Sequence, residues 1–209
     1  MRHIRFCILF ALLVLLLISI SISGQRRSRS RAAKKTFIDD ISFGNVPAKR
    51  NFNHHEKIEW RYDNVKDITV VNLDKMWVGP HFRLSAYFGC YGEGCDASTP
   101  SYVRIFLTTS SSSGWRLGRA AKVVMRADGR LKILQPEYER EVQPAKVVGG
   151  STYGPYHVEY LKFDLSTRAF LYLVNSKSVE MQIGRVDLKL SENHLEALRD
   201  LASRLPVKP

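Results

Sequence analysis

From Phe82 onward, apolar and polar positions alternate with the period of a β-strand. "FRLSAYF" sets Phe82, Leu84, Ala86 and Phe88 against Arg83, Ser85 and Tyr87, and "YVRIFL" repeats the pattern through Val103, Ile105 and Leu107. Residues two apart share one face of a strand, so each segment predicts a strand with one side on a core. "HVEYLKFDL" alternates again through Leu161, Phe163 and Leu165. In "KVVMRADGRLKIL" the pair Asp128-Gly129 separates two apolar runs, and such a pair tolerates the positive φ angles of a tight hairpin turn. The polar runs "TTSSSSG" (108–114) and "GGSTYGP" (149–155) read as loops. Residues 36–59 lack clear periodicity and read as an irregular lead-in to one domain over 60–206.

"STRAFLYLVNSKS" is matched by a short helix capped by Ser166, with Phe170, Leu173 and Val174 on one face. A buried strand fits it almost as well, and the helix is the expectation. The stretch "VEMQIGRVDLKLSENHLEALRDLASRLP" is the most legible part of the chain. A two-residue turn at Gly184-Arg185 pairs Ile183 with Val186, Met181 with Leu188 and Val179 with Leu190, so all six apolar side chains fall on one face. Glu180 then meets Lys189, and Gln182 meets Asp187, on the other. Glycine at the first turn position suits a type II′ turn. Ser191 caps a helix with Glu192 in its first turn, an apolar stripe of Leu195, Leu198, Leu201, Ala202 and Leu205, and a stop at Pro206.

These elements predict a mainly β fold, a twisted antiparallel sheet or sandwich with the C-terminal amphipathic helix packed on one face. The ending, "SVEMQIG" and then "LKLSENHLEALRDLASRL", resembles the C-terminus of secreted bacterial proteins of uncharacterised activity, over the last ~35 residues. That resemblance implies export and a small envelope domain with a β-rich body. It brings no activity and no catalytic residues with it.

The N-terminus changes the picture of where such a domain works. Residues 2–23 place Arg2 and Arg5 before an apolar run from Phe6 to about Ile18, followed by Ser19, Ser21 and Ser23. A positive head, an apolar middle and a small-residue exit describe a secretory signal peptide, with cleavage expected after Ser23 or Gly24. The apolar run is shorter than the roughly 20 residues of a spanning helix, which favours cleavage over the alternative, an uncleaved membrane anchor. The mature chain is therefore expected to be secreted or periplasmic. A basic tract follows at 24–35, with Arg26, Arg27, Arg29, Arg31, Lys34 and Lys35. Of the formal charge of +12, only +4 remains for residues 36–209 once Arg2, Arg5 and these six cations are set aside. The tract reads as a disordered arm suited to anionic surfaces. It runs against the positive-inside tendency for an exported flank.

With Cys7 in the leader, two cysteines remain, Cys90 and Cys95 in "FGCYGEGCDAS". An even count in an exported chain predicts a disulfide, with Gly89, Gly92 and Gly94 easing closure of a short ring. A zinc site needs two further ligands, and no second Cys/His pair accompanies these two. "GEGCDA" imitates a dinucleotide fingerprint, but Thr99-Pro100 leaves no room for the helix that must follow.

Candidate chemistry is sparse. His54-His55-Glu56 fails as a zincin, because the second histidine position holds Glu59; it reads as an exposed polar loop. His157 and Glu159, two apart on a strand, share a face and form the best acid–base pair for a hydrolase, although a solvated strand face is the default for both. The later P-C-x-x-C of a deaminase is absent, and "GGSTY" lacks the last glycine of a nucleophile elbow. Trp60, Tyr62, Trp77, Tyr87, Tyr91 and Trp115 are candidates for a stacking surface for sugars, in competition with ordinary core packing.

Three functions follow as expectations. The first is a non-enzymatic binding or structural domain whose partner is an envelope protein, a glycan or an anionic membrane surface. It needs no cofactor and no metal, and nucleic acid is not favoured. The second is a hydrolase using His157 and Glu159. The third is attachment to anionic surfaces through the basic tract, with strong salt dependence. The first is preferred, because the clear signals in the sequence serve the fold.

Overall fold

The computed structural model describes residue 47 and residues 51–95, 99–117, 122–148 and 151–206. The expected signal peptide and basic tract lie outside the described residues. Four strands open the fold as a meander: β1 (Ile58–Asp63), β2 (Ile68–Trp77), β3 (Phe82–Tyr91) and β4 (Tyr102–Ser111). The hairpin β5 (Val123–Ala127) and β6 (Arg130–Leu134) follows, then β7 (Glu137–Gln143). A short pair, β8 (Lys146–Val148) and β9 (Ser151–Tyr153), precedes the long strand β10 (Tyr156–Ser166). The chain closes with α1 (Thr167–Asn175), β11 (Val179–Ile183), β12 (Val186–Lys189) and α2 (Glu192–Ser203).

The fold is mainly β, as the alternation predicts. One sheet has six strands in the order β1-β2-β3-β4-β10-β7, and a second has four in the order β12-β11-β5-β6. All pairings are antiparallel. Their apolar faces meet in one core. Leu73, Phe88, Leu107 and Leu161 come from the larger sheet, and Met125 and Met181 from the smaller. Phe170 of α1 and Leu198 and Leu201 of α2 join them. Each such side chain taken out of water contributes about 1.5–3 kcal/mol.

Both expected hairpin turns form. Asp128 and Gly129 take φ of 46° and 78°, the two positive angles of a type I′ turn. At the second turn Gly184 takes φ 59°, as the first position of a type II′ turn requires. The register there is the expected one, Met181 opposite Leu188 and Glu180 opposite Lys189. Ser166 caps α1 by accepting from the Ala169 N–H at 3.2 Å, which settles the ambiguous segment as a helix. Ser191 caps α2 in the same way, through the His194 N–H.

Two loop expectations are corrected. β4 runs on through Ser111, with Thr109 opposite Phe82 and Ser111 opposite His157. The β-branched threonines suit a pleated strand, and neighbours on both sides satisfy their backbone. Residues Ser151–Tyr153, expected in a loop, pair with Lys146–Val148. The lead-in also ends earlier than expected, since β1 begins at Ile58. At the far edge of the larger sheet β7 exposes Glu137, Glu139, Arg140 and Glu141, charges that discourage another strand from adding there.

Candidate functional site

The pair that the sequence offers for catalysis lies at the start of β10. Glu159 shares its side of the strand with Leu161, Phe163 and Leu165, so alternation carries it into the interior, where it is 1% exposed. The expectation of a solvated face is thus overturned. One carboxylate oxygen accepts from the Arg116 N–H at 2.6 Å, and the Leu117 N–H lies 3.0 and 3.1 Å from the two oxygens. The Tyr138 hydroxyl donates to the other oxygen at 2.7 Å. Glu159 thereby pins the segment after β4, whose Leu117 is buried. His157 stands apart from these bonds. Its ring meets Trp115 edge-on, with centroids 4.5 Å apart, and Arg140 lies over the same indole at 5.0 Å. Among the described residues no hydrogen bond or ion pair joins His157 to Glu159, so the two share a strand face without forming a dyad.

The other histidines do not converge. His54, expected in an exposed loop, is held at the C-terminal helix, with Nε2 3.2 Å from Asp200 and its side chain 6% exposed. His55 and His81 are exposed. Among the described residues no group of three or more His, Cys, Asp or Glu side chains is placed to hold a metal ion.

Cys90 and Cys95 meet in disulfide-compatible positions, with Cα atoms 5.1 Å apart. Closure uses one of the three expected glycines, together with Cys95. Gly92 turns the chain at φ 83°, Cys95 itself takes φ 59°, and Gly89 belongs to β3. The buried Thr69 hydroxyl seats the loop through the carbonyls of Gly92 and Glu93, at 2.7 and 3.0 Å.

The six candidate aromatics do not form one surface. Trp60 borders a hollow with Phe52, Cys95 and Arg204, and Trp115 sits beside His157. Trp77 and Tyr87 instead share the outer face of the six-stranded sheet, the face turned from the core. There they border a groove made of two adjoining hollows of about 480 and 260 Å³, which have Lys75, Thr108 and Tyr160 in common. The walls of the larger hollow come entirely from β2, β3, β4, β7 and β10.

Along it, Tyr87 and Phe106 stack with centroids 5.5 Å apart and planes inclined by 26°. Arg83 lies over Trp77, 4.2 Å from the ring centroid. Lys162 reaches Glu139 at 2.6 Å, and the Tyr160 hydroxyl donates to Glu141 at 2.6 Å. Burial, and then that hydrogen bond to Glu141, push the Tyr160 phenol up to about 12. The Tyr160 hydroxyl, with the Gln143 amide second, holds Glu141 below the usual carboxylate range. Phe106, Tyr160, Lys162, Glu139 and Glu141 were not singled out in the sequence. Their one local signal is an aromatic on the polar side of an alternating strand, as Phe106 is between Ile105 and Leu107.

Comparison with known protein families, curated proteins and solved structures found no match.

Proposed function

We propose that this chain is an exported, non-catalytic binding domain of the bacterial cell envelope, and that the outer face of its six-stranded sheet is the binding surface. The observation that carries the reading is the groove on that face, where aromatic and polar side chains from five strands line one open trough. Ligand sites of this kind combine ring surfaces with a few placed polar groups. Glu159 supports the same conclusion from the other side. Its oxygens are spent on two backbone N–H groups and a phenol, which argues against its service as a hydrolase acid or base. Export is supported by the leader-like residues 2–23 and by a cysteine pair of the kind that persists in oxidising compartments.

In a bacterial host the tagged protein should lose its leader after Ser23 or Gly24, read by intact mass, and sediment with the envelope. Thr108→Arg places a long cation in the middle of the groove and should release it. Lys189→Asp, on the smaller sheet, should not. Envelope retention unchanged by Thr108→Arg would refute the assignment of this face. If deletion of residues 24–35 alone released the protein, attachment would belong to Arg26–Lys35 instead.

A further inference from the structure

We infer that the groove binds a neutral oligosaccharide, an inference that rests on the outer sheet face being the binding surface. The rings come first. Tyr87 and Phe106 form a stacked pair, and Trp77 stands 54% exposed further along the trough. The face of an aromatic ring is electron-rich and attracts polarised C–H groups, which a pyranose presents in flat arrays.

Charge narrows the choice. Lys75 and Lys162 face Glu139 and Glu141 in the larger hollow, so its formal charges cancel. Both glutamates are already engaged, one by Lys162 and the other by Tyr160. Arg83 adds one positive charge at the far end, where it lies over Trp77. Such a trough exerts little net pull on a polyanion, and a neutral ligand complements it best. The cations that would attract an anionic surface are concentrated at positions 26–35 of the sequence.

Hydrogen-bonding capacity points the same way. A carboxylate accepts at several lone-pair sites, so Glu139 and Glu141 are held in position and still accept from hydroxyls. Asn72, Thr108 and the two lysines stand beside them as donors. Neighbouring sugar hydroxyls donate and accept at once and match that mixture. A peptide would call for an apolar pocket for an anchoring side chain, or for an open strand edge. The larger hollow offers rings and polar groups, and the nearest edge, β7, is charged. Its volume of about 480 Å³ suits a short oligosaccharide.

The test presents the full mature chain to a printed array of neutral oligosaccharides, with heparin as the polyanionic comparison and a photo-crosslinking residue at Ser85. Binding to neutral glycans, competed by the soluble sugar and little changed by salt, is expected. Tyr87→Leu keeps apolar bulk and removes the ring. It should weaken binding about tenfold while the melting curve stays in place. Glu141→Gln, a second folded variant, should weaken it as well. Binding to heparin alone, an array with no neutral ligand, or full affinity in both variants would overturn the inference. Crosslinks from position 85 to a protein would keep the face and replace the sugar with a polypeptide partner. A chain that binds no glycan and crosslinks nothing from that position would remove both readings.

Discussion

Glu159 brings a carboxylate into the interior and meets donors that carry no full charge, the N–H groups of Arg116 and Leu117 and the Tyr138 phenol. Hydrogen bonds to a carboxylate contribute about 1.5–3 kcal/mol, and an abandoned buried partner costs about as much. Glu159→Ala should therefore cost about 3 kcal/mol, read from urea midpoints, because two backbone donors lose their acceptor. Tyr138→Phe should cost about 1 kcal/mol. A neutral Glu159→Ala would sink its role as the anchor of that loop. Tyr160 makes a different statement, about pH. Its phenol is raised from 10.0 to about 12 in the folded protein. The stability it adds is fully present below pH 10 and is lost as pH rises through about 12. Alkaline titration of the tyrosine absorbance should show a phenol near 12 that Tyr160→Phe removes. The same variant should flatten the loss of stability over that interval, and a titration curve unaltered by the substitution would contradict the Tyr160–Glu141 contact.

The C-terminal hairpin and helix form the element on which the core leans most plainly. Leu188 lies opposite Met181 and is 5% exposed, and Leu198 of α2 is 1% exposed in the same core. Replacing either by alanine should cost about 2–5 kcal/mol, whereas Lys189→Ala, on the exposed side, should cost under about 1 kcal/mol. Chemical denaturation distinguishes these outcomes. A neutral Leu188→Ala beside an unfolding Lys189→Ala would mean a register slipped by one residue. This unit was legible in the sequence because its turn glycine, alternation, cap and apolar stripe all lie within one short stretch and agree. β7 was not. Its Glu137–Gln143 shows no apolar alternation, since it is an edge strand that exists by pairing with β10. Thr108–Ser111 hides its strand for a related reason: its residues are polar, and neighbouring strands hold them in place. Glu159 does carry a signal in the sequence. Counting back by twos from Leu165 through Phe163 and Leu161 lands on it, in phase with the core. The groove was legible only in fragments, because five strands supply it and no single stretch contains it.

Across the whole molecule, both sheets draw strands from distant parts of the chain. β10 lies between β4 and β7, although the smaller sheet's hairpin intervenes in sequence between β4 and β7. β11 occupies an inner position, between β5 and β12, and comes nearly last. Pairings between distant segments pay loop-closure entropy before they return any contact energy, which slows folding. The consequence concerns timing during synthesis. Until Val179–Ile183 is made, the hairpin β5–β6 has an unfilled flank, and the core lacks Met181, Leu188, Leu198 and Leu201. Without them the strands already made leave part of the core open. For a protein proposed to leave the cytoplasm, that delay is useful, because a translocation channel passes an open chain, and this one gains Met181, Leu188, Leu198 and Leu201 only after β10.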